Sequence, residues 1–223
     1  MPSHDTPHTF PDLDREERIG FAEVIYCPGK TDEQLENMGR ALFGNHKNVL
    51  ATRATPGQAK ILQAIAEDVE YNELARVVYT HRDKTPRGRG SIAIVSAGTC
   101  DLPVAEEAAC CAEVMGNDIV RIYDVGVSGL HRVMSHRETL EEAEVVVVVA
   151  GMEGALPSVV GGLISRPIVA VPTSIGYGTS FKGITPLLSM LNSCAPGVSV
   201  VNIDNGFGAA FAATRINREP KHK

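Results

Sequence analysis

Four short stretches of the chain concentrate groups that can hold an anion and move a proton: "SAGTCD" (96–101), "DVGVSGLHR" (124–132), "AGMEGALPSVVGG" (150–162) and "PTSIGYGTSFKGITP" (172–186). In the first, Ser96, Gly98, Thr99 and Asp101 lie between an apolar run and a helical pattern. A helix start offers free N–H groups to an anionic ligand. No GxGxxG and no Gly-Lys-Ser/Thr is present there, so the dinucleotide fingerprint and the P-loop are both excluded. The plain alternative is a tight turn with Thr99 or Asp101 as helix cap. In the second stretch Ser128, His131 and Arg132 supply a hydroxyl, an imidazole and a guanidinium, a set that grips phosphate. A solvated helix start is the competing reading. Glu153 stands between Gly151 and Gly154 with little side-chain bulk around it. Its carboxylate can ligate a hard cation or act as a base, or it can simply satisfy a helix N-terminus. The fourth stretch is a long loop, of the kind that serves as a lid or binding loop. Its Lys182 is a candidate cation for an anion or a transition state, or an ordinary surface lysine.

A fifth stretch, "LLSMLNSCAPG" (187–197), carries Cys194 where a helical pattern stops. Helical spacing predicts that Leu187, Leu188 and Leu191 pack inward, with the thiol just past that face. A buried, inert thiol is one reading; a nucleophile on a loop is the other. The negative end of a helix disfavours a thiolate. A reactive Cys194 therefore needs a cation close by: Lys182, His131 or a positively charged substrate.

These loops need rigid elements behind them, and the rest of the chain supplies the pattern. "SIAIVS", "DIVRIYDVG", "EVVVVVA", "RPIVAVP" and "VSVVNI" read as strands. Between and after them "DLPVAEEAACCAEVMG", "HRVMSHRETLEEA", "LPSVVGGLIS", "TPLLSMLNS" and "FGAAFAATRINR" read as helices. Strand–helix alternation predicts an α/β fold, a three-layer parallel sheet flanked by helices. Such sheets bind ligands at the carboxyl ends of their strands. Ahead of this, residues 12–81 predict a small α/β module. It contains helices capped at Thr31 and started at Pro56, and strands "NVLATR" and "ELARVVYT". The basic, Pro/Gly-containing "HRDKTPRGRGS" (81–91) reads as an exposed linker, which divides the chain into 1–88 and 89–223. Residues 1 to about 10 are polar and expected to be disordered.

Composition narrows the function classes. A net charge of −6 over 223 residues leaves no electrostatic footprint for nucleic acid. The apolar runs are too short to span a bilayer, and residues 1–10 lack the basic and apolar regions of a signal peptide. Five Cys without paired metal spacing point to a reducing cytoplasm rather than a disulfide or zinc framework.

Taken in order, "GFAEVIYCPGKT", "VSAGTCDLPVAEEAA", "YDVGVSGLHR", "VAGMEGALPSVVGGL", "VPTSIGYGTSFKGITPLLSMLNSCAPG" and "NIDNGFGAA" resemble the LarB family, from about residue 12 to about 216. That family makes pyridinium-3,5-biscarboxylic acid mononucleotide on the way to the nickel-pincer nucleotide. The second half is similar to PurE-type aminoimidazole ribonucleotide carboxylases. One departure stands out: where those enzymes carry a His before Leu-Pro-Gly, this chain has Ala155-Leu156-Pro157-Ser158. The resemblance implies that nicotinic acid adenine dinucleotide is carboxylated with CO2 or bicarbonate and its phosphoanhydride cleaved, releasing AMP. It implies Cys194 as the nucleophile, Mg²⁺ as cofactor, and Glu153 then Asp101 as its ligands or as a water-orienting base. Ser96, Asp101, Ser128 and Arg132 would hold the ribose phosphate, and His131 would line the ring pocket. It also implies a homo-octamer whose product passes to sulfur-inserting and nickel-inserting enzymes. A PurE-like carboxylase of an imidazole ribonucleotide and a non-catalytic nucleotide-binding module are the alternatives. For Cys27 and Lys30 in the first module the residues suggest a structural thiol and an unassigned amine.

Overall fold

The computed structural model describes residues 8–218. The expected disordered start lies outside the described residues for positions 1–7, whereas Thr9 is buried. The chain forms two compact units, residues 1–85 and 86–223.

The first unit runs α1 (Arg15–Ile19), β1 (Ile25–Tyr26), α2 (Asp32–Asn45), β2 (Asn48–Thr52), α3 (Pro56–Gln63), β3 (Glu70–Asn72) and β4 (Val77–His81). Its sheet has the order β1-β2-β4-β3, with only β1 and β2 parallel. Thr31 and Thr55 start α2 and α3 with full capping boxes, trading hydrogen bonds with Gln34 and Gln58. Each cap contributes about 1 kcal/mol. Ile25, Leu35, Leu42, Val49 and Leu62 form a core between helices and sheet. The expected strand "ELARVVYT" is shorter than its pattern. Asn72 Oδ1 accepts from Ala75 N, Arg76 takes a φ of 56°, and the strand begins only at Val77. The turn makes an antiparallel β3–β4 hairpin without the glycine that ordinarily signals one.

The second unit runs β5 (Ser91–Ser96), α4 (Leu102–Val114), β6 (Asp118–Ile122), α5 (Leu130–Ser135), α6 (Arg137–Glu142), β7 (Val145–Ala150), α7 (Leu156–Gly161), β8 (Ile168–Pro172), α8 (Ile184–Leu191), β9 (Val198–Val200) and α9 (Gly206–Asn217). All five strands are parallel, in the order β6-β5-β7-β8-β9. Every residue of β7 is buried, as the unbroken valine run requires of a strand covered on both faces. Alternate residues Ala93, Val95, Val146, Val148, Ile168 and Ala170 pack with Val133, Leu140, Leu156 and Met190 on one side. On the other side α4 and α9 pack together over β5 and β7. The expected helix 131–143 is two helices, broken at His136. The basic stretch after Thr85 is not a free linker. Arg87 N donates to Gly116 O, Arg89 N to Asn217 O, and Gly88 bridges to Arg218 at the edge of this unit. No helix among the described residues is long and apolar enough to cross a membrane.

Candidate functional site

The chain leaves β5, runs outward through β6, then returns to start β7 on the other side of β5. The strand-end loops diverge at such a reversal and leave a crevice. Here it is a cavity of about 390 Å³, walled by the ends of β5 (Ala97 to Asp101), β6 (Asp124 to Ser128) and β7 (Ala150 to Leu156), with Ile175 closing it. The loops crowd so closely that only glycine fits at two points. A Cβ on Gly126 would meet Ala97 O at 2.8 Å, and one on Gly151 would meet Ile175 O at 2.4 Å. Asp124 and Met152 on the wall adopt left-handed φ values of 58° and 53°, conformations that persist in non-glycine residues only when their surroundings impose them.

Asp101 is the group that imposes order on these loops. It is buried, and its Oδ2 accepts from Gly98 N at 2.9 Å while its Oδ1 accepts from the hydroxyl of Thr173, itself fully buried, at 2.7 Å. A further bond comes from Gly151 N. One carboxylate thus ties the ends of β5, β7 and β8 together. Burial pushes this carboxyl above the usual carboxylate range and the charge of Asp204 adds to the rise, while the hydrogen bonds from Thr173, Gly98 and Gly151 pull it back.

Of the residues singled out in the sequence, Gly98, Thr99, Asp101, Ser128, Gly151 and Glu153 line the cavity. Ser96 does not: it is fully buried beneath the floor, where its Oγ accepts from Asp124 N at 3.2 Å. Arg132 sits one layer behind, its Nη1 2.8 Å from Asp124 Oδ2, so it steadies a wall residue. His131 is exposed on α5, outside the lining. Lys182 is exposed just before α8, in a left-handed conformation with φ 53°. Cys100, which the sequence reading passed over, stands exposed on the wall. Its position between Thr99 and Asp101 in "SAGTCD" was the available signal. Thr173 was also passed over; its signal was only its place directly after a strand.

Cys194 is exposed and does not line the cavity of its own chain. Helix α8 runs from the loop after β8 back down the sheet, and the thiol follows its far end. The Cys194 loop packs on the outer flank of α7, where Ser193 Oγ lies 2.7 Å from Ser158 Oγ, and Gly197 O accepts from Ile168 N at the start of β8. Of the three cations that could support a reactive Cys194, Lys182, His131 and a positively charged substrate, Lys182 lies at the opposite end of α8 from the thiol. The two residues bracket the eight residues of α8, a separation of about 12 Å along the axis. The inward packing expected of Leu187, Leu188 and Leu191 fails for two of them, Leu187 being half-buried. Leu188 and Leu191 are 58% and 63% exposed, and Pro186 and Met190 fill the core instead. With Phe181 and Ile184, both exposed, they make an apolar strip along α8.

The residues do not form a ready-made cage for Mg²⁺. No cluster of three or more His, Cys, Asp or Glu able to hold an ion occurs among the described residues. Asp101 has both oxygens engaged by protein donors, and Asp124 is paired with Arg132. Glu153 remains as a single exposed carboxylate on the rim.

Fold and cavity define a class: a flavodoxin-like parallel-sheet protein with a crevice at its topological switch point. Residues 91–222 match the family model for AIR carboxylase, and residues 4–82 match that for the LarB/PurE-like N-terminal domain. The chain belongs to the LarB family, in which an AIR carboxylase domain follows a LarB/PurE-like N-terminal domain. An uncharacterized protein of Methanocaldococcus jannaschii is 39% identical over 214 residues, covering 92% of this chain and 82% of that relative. The N5-carboxyaminoimidazole ribonucleotide mutase of the same organism is 32% identical over 130 residues, 56% of this chain and 77% of the relative. That of Pyrococcus abyssi is 32% identical over 137 residues, 58% of this chain and 74% of the relative. The family places the chain among carboxylase-type enzymes.

Proposed function

We propose that the protein carboxylates the pyridinium ring of nicotinic acid adenine dinucleotide and hydrolyses its phosphoanhydride, giving pyridinium-3,5-biscarboxylic acid mononucleotide and AMP. The observation that carries this reading is Ala155. It lines the cavity, so the wall presents a methyl group where the purine carboxylases it resembles carry a His. That speaks against the imidazole ribonucleotide reaction, the alternative that the mutase relatives suggest. A pyridinium ring is electron-poor and does not attack CO2. Addition of the Cys194 thiolate gives a dihydropyridine whose enamine carbon is nucleophilic, and this carbon takes up CO2. Loss of the ring proton and expulsion of the thiolate restore aromaticity, so a difficult step is divided into easier ones. The cationic ring favours the thiolate, which offsets the unfavourable end of α8.

Since Cys194 lies outside its own chain's cavity, the mechanism requires it from a neighbouring copy. The exposed strip of Phe181, Ile184, Leu188 and Leu191 beside it supports an assembly that buries this flank; we take the assembly to be the octamer. The wall of Thr99, Ser128 and the amides near Gly98 holds the ribose phosphate, Glu153 orients the hydrolytic water, and Lys182 offsets developing negative charge. The Mg²⁺ of the resemblance would neutralise phosphoanhydride charge, held mainly by the substrate's own phosphates with Glu153 as the single protein carboxylate. The product would go to sulfur-inserting and nickel-inserting enzymes. The full-length protein incubated with the dinucleotide, bicarbonate and Mg²⁺ should yield AMP and the biscarboxylated mononucleotide by mass spectrometry. No carboxylated product from wild type overturns the reading. Full activity in Cys194→Ser would remove the covalent step and leave the substrate class standing.

A further inference from the structure

Two of the five cysteines, Cys100 and Cys194, are exposed, and Cys27, Cys110 and Cys111 are buried. The proposed chemistry uses Cys194 and leaves Cys100 without a task. Yet Cys100 is the only thiol among the described residues that line the cavity at the ends of β5, β6 and β7. Its backbone is held in place there. Thr99, Cys100 and Asp101 form one helical turn that runs straight into α4, and the buried Asp101 carboxylate accepts from Gly98 N at 2.9 Å. The space in front of the thiol is small. A sphere of about 390 Å³ is roughly 9 Å across, and the Cα atoms of a disulfide lie roughly 4.4–6.8 Å apart. A thiol that enters this cavity from a neighbouring copy, to reach a ring bound there, meets Cys100 once the ring has left.

We infer that Cys100 of one copy and Cys194 of another form a reversible disulfide across the empty cavity, which switches the enzyme off when a peroxide is present. The inference rests on the reading that Cys194 completes a neighbouring copy's cavity, and adds a regulation of that same site. One thiolate attacks a peroxide oxygen and breaks the O–O bond, which gives a sulfenic acid and releases an alcohol or water. The other thiolate attacks the sulfenic sulfur, the S–S bond forms and water leaves. Two thiols thus lose two electrons and two protons, and the peroxide is reduced by two electrons. Accessible thiols with a resolving thiol beside them are the ones that oxidise reversibly. The bond consumes the proposed nucleophile and blocks the cavity, and bound dinucleotide, lying between the two sulfurs, prevents it. A dithiol reverses it by exchange.

The test treats the full-length protein with hydrogen peroxide in the absence of bicarbonate, with and without nicotinic acid adenine dinucleotide. Denaturing gels run without reductant and peptide mass mapping read the linkage. AMP release after bicarbonate and Mg²⁺ are added reads turnover. Wild type should give species of twice the chain mass or more, joined through Cys100 and Cys194, and the dinucleotide should suppress them. Turnover should fall by about tenfold or more and return with dithiothreitol. Met152 on the same wall also oxidises, but dithiothreitol does not reduce its sulfoxide, so the reversible loss belongs to thiols. Cys100→Ser and Cys194→Ser chains should give no linked species alone, and a dimer of one with the other when co-expressed. No linked species from wild type, a Cys100–Cys194 bond within one chain, a bond between two like cysteines, or a linkage that leaves turnover unchanged overturns the switch. Turnover by the reduced protein judges the substrate reading separately. Turnover without the linkage leaves that reading standing, and the linkage without turnover removes that reading and keeps the disulfide.

Discussion

The loops at the carboxyl ends of β5, β7 and β8 and the flank formed by α8 with the Cys194 loop belong to one compact unit, yet they are finished in opposite ways. The first region is closed upon itself: Asp101 and Thr173 tie three loops, and Gly126 and Gly151 let them approach to contact distance. The second is left open, with Leu188, Leu191 and the Cys194 thiol facing outward. A cavity that orders itself within one chain can bind ligand alone. An exposed apolar flank carrying a thiol is complete only when something covers it. Under the proposed function, binding is a property of the single chain and the covalent chemistry requires a second copy.

The largest effect expected from this contrast is on chemistry alone. Cys194→Ser should lower turnover by about a thousandfold or more while leaving calorimetric affinity for the dinucleotide within about twofold. Equal losses in both would place the thiol in binding instead. Leu188→Asp with Leu191→Asp should come next. Charges on the strip should lower the mass seen by sedimentation and abolish turnover, with nicotinic acid mononucleotide still bound by the dissociated chain. An unchanged mass would show that the flank is not an interface.

Breaking the tie on the other side should cost stability. Thr173→Val leaves a buried carboxylate oxygen short of a donor and should destabilise by about 1–3 kcal/mol in urea unfolding, with Thr173→Ser restoring most of it. Full stability in the valine variant would mean that the three loops do not depend on this bond. The smallest effect is on pH dependence. Because burial raises the Asp101 carboxyl in the folded protein, its contribution to stability is complete below the ordinary carboxylate value of about 4 and is lost as pH rises through the folded value. The stability of wild type relative to Asp101→Asn should therefore fall as pH increases. A difference that grows with pH would contradict the direction of the shift.

Much of this was legible in the sequence. The buried valine run and the alternation of strands with helices identified the parallel sheet, because a doubly covered strand has no polar face to hide. The loops "SAGTCD" and "AGMEGALPSVVGG" announced themselves, because ligand-binding groups on a strand-end loop are contiguous in the chain. What stayed hidden depends on contacts between distant segments. Asp101 read as a cap or ligand, since nothing local shows that Thr173, 72 residues later, donates to it. Leu188 and Leu191 read as core, since periodicity finds an apolar stripe without saying what covers it. Ser96 read as a phosphate contact only through the resemblance, and its burial beneath Asp124, whose N–H it accepts, is not visible locally. The β3–β4 hairpin was invisible for want of a turn signal.

Subunit mixing tests the proposal that Cys194 of one copy completes the cavity of another. Glu153→Gln and Cys194→Ser chains are each expected to be inactive. Co-expressed in equal amounts, they should regain activity, with roughly one site in four holding both intact groups by random pairing in a symmetric assembly. A mixed assembly no more active than its parts would contradict the claim.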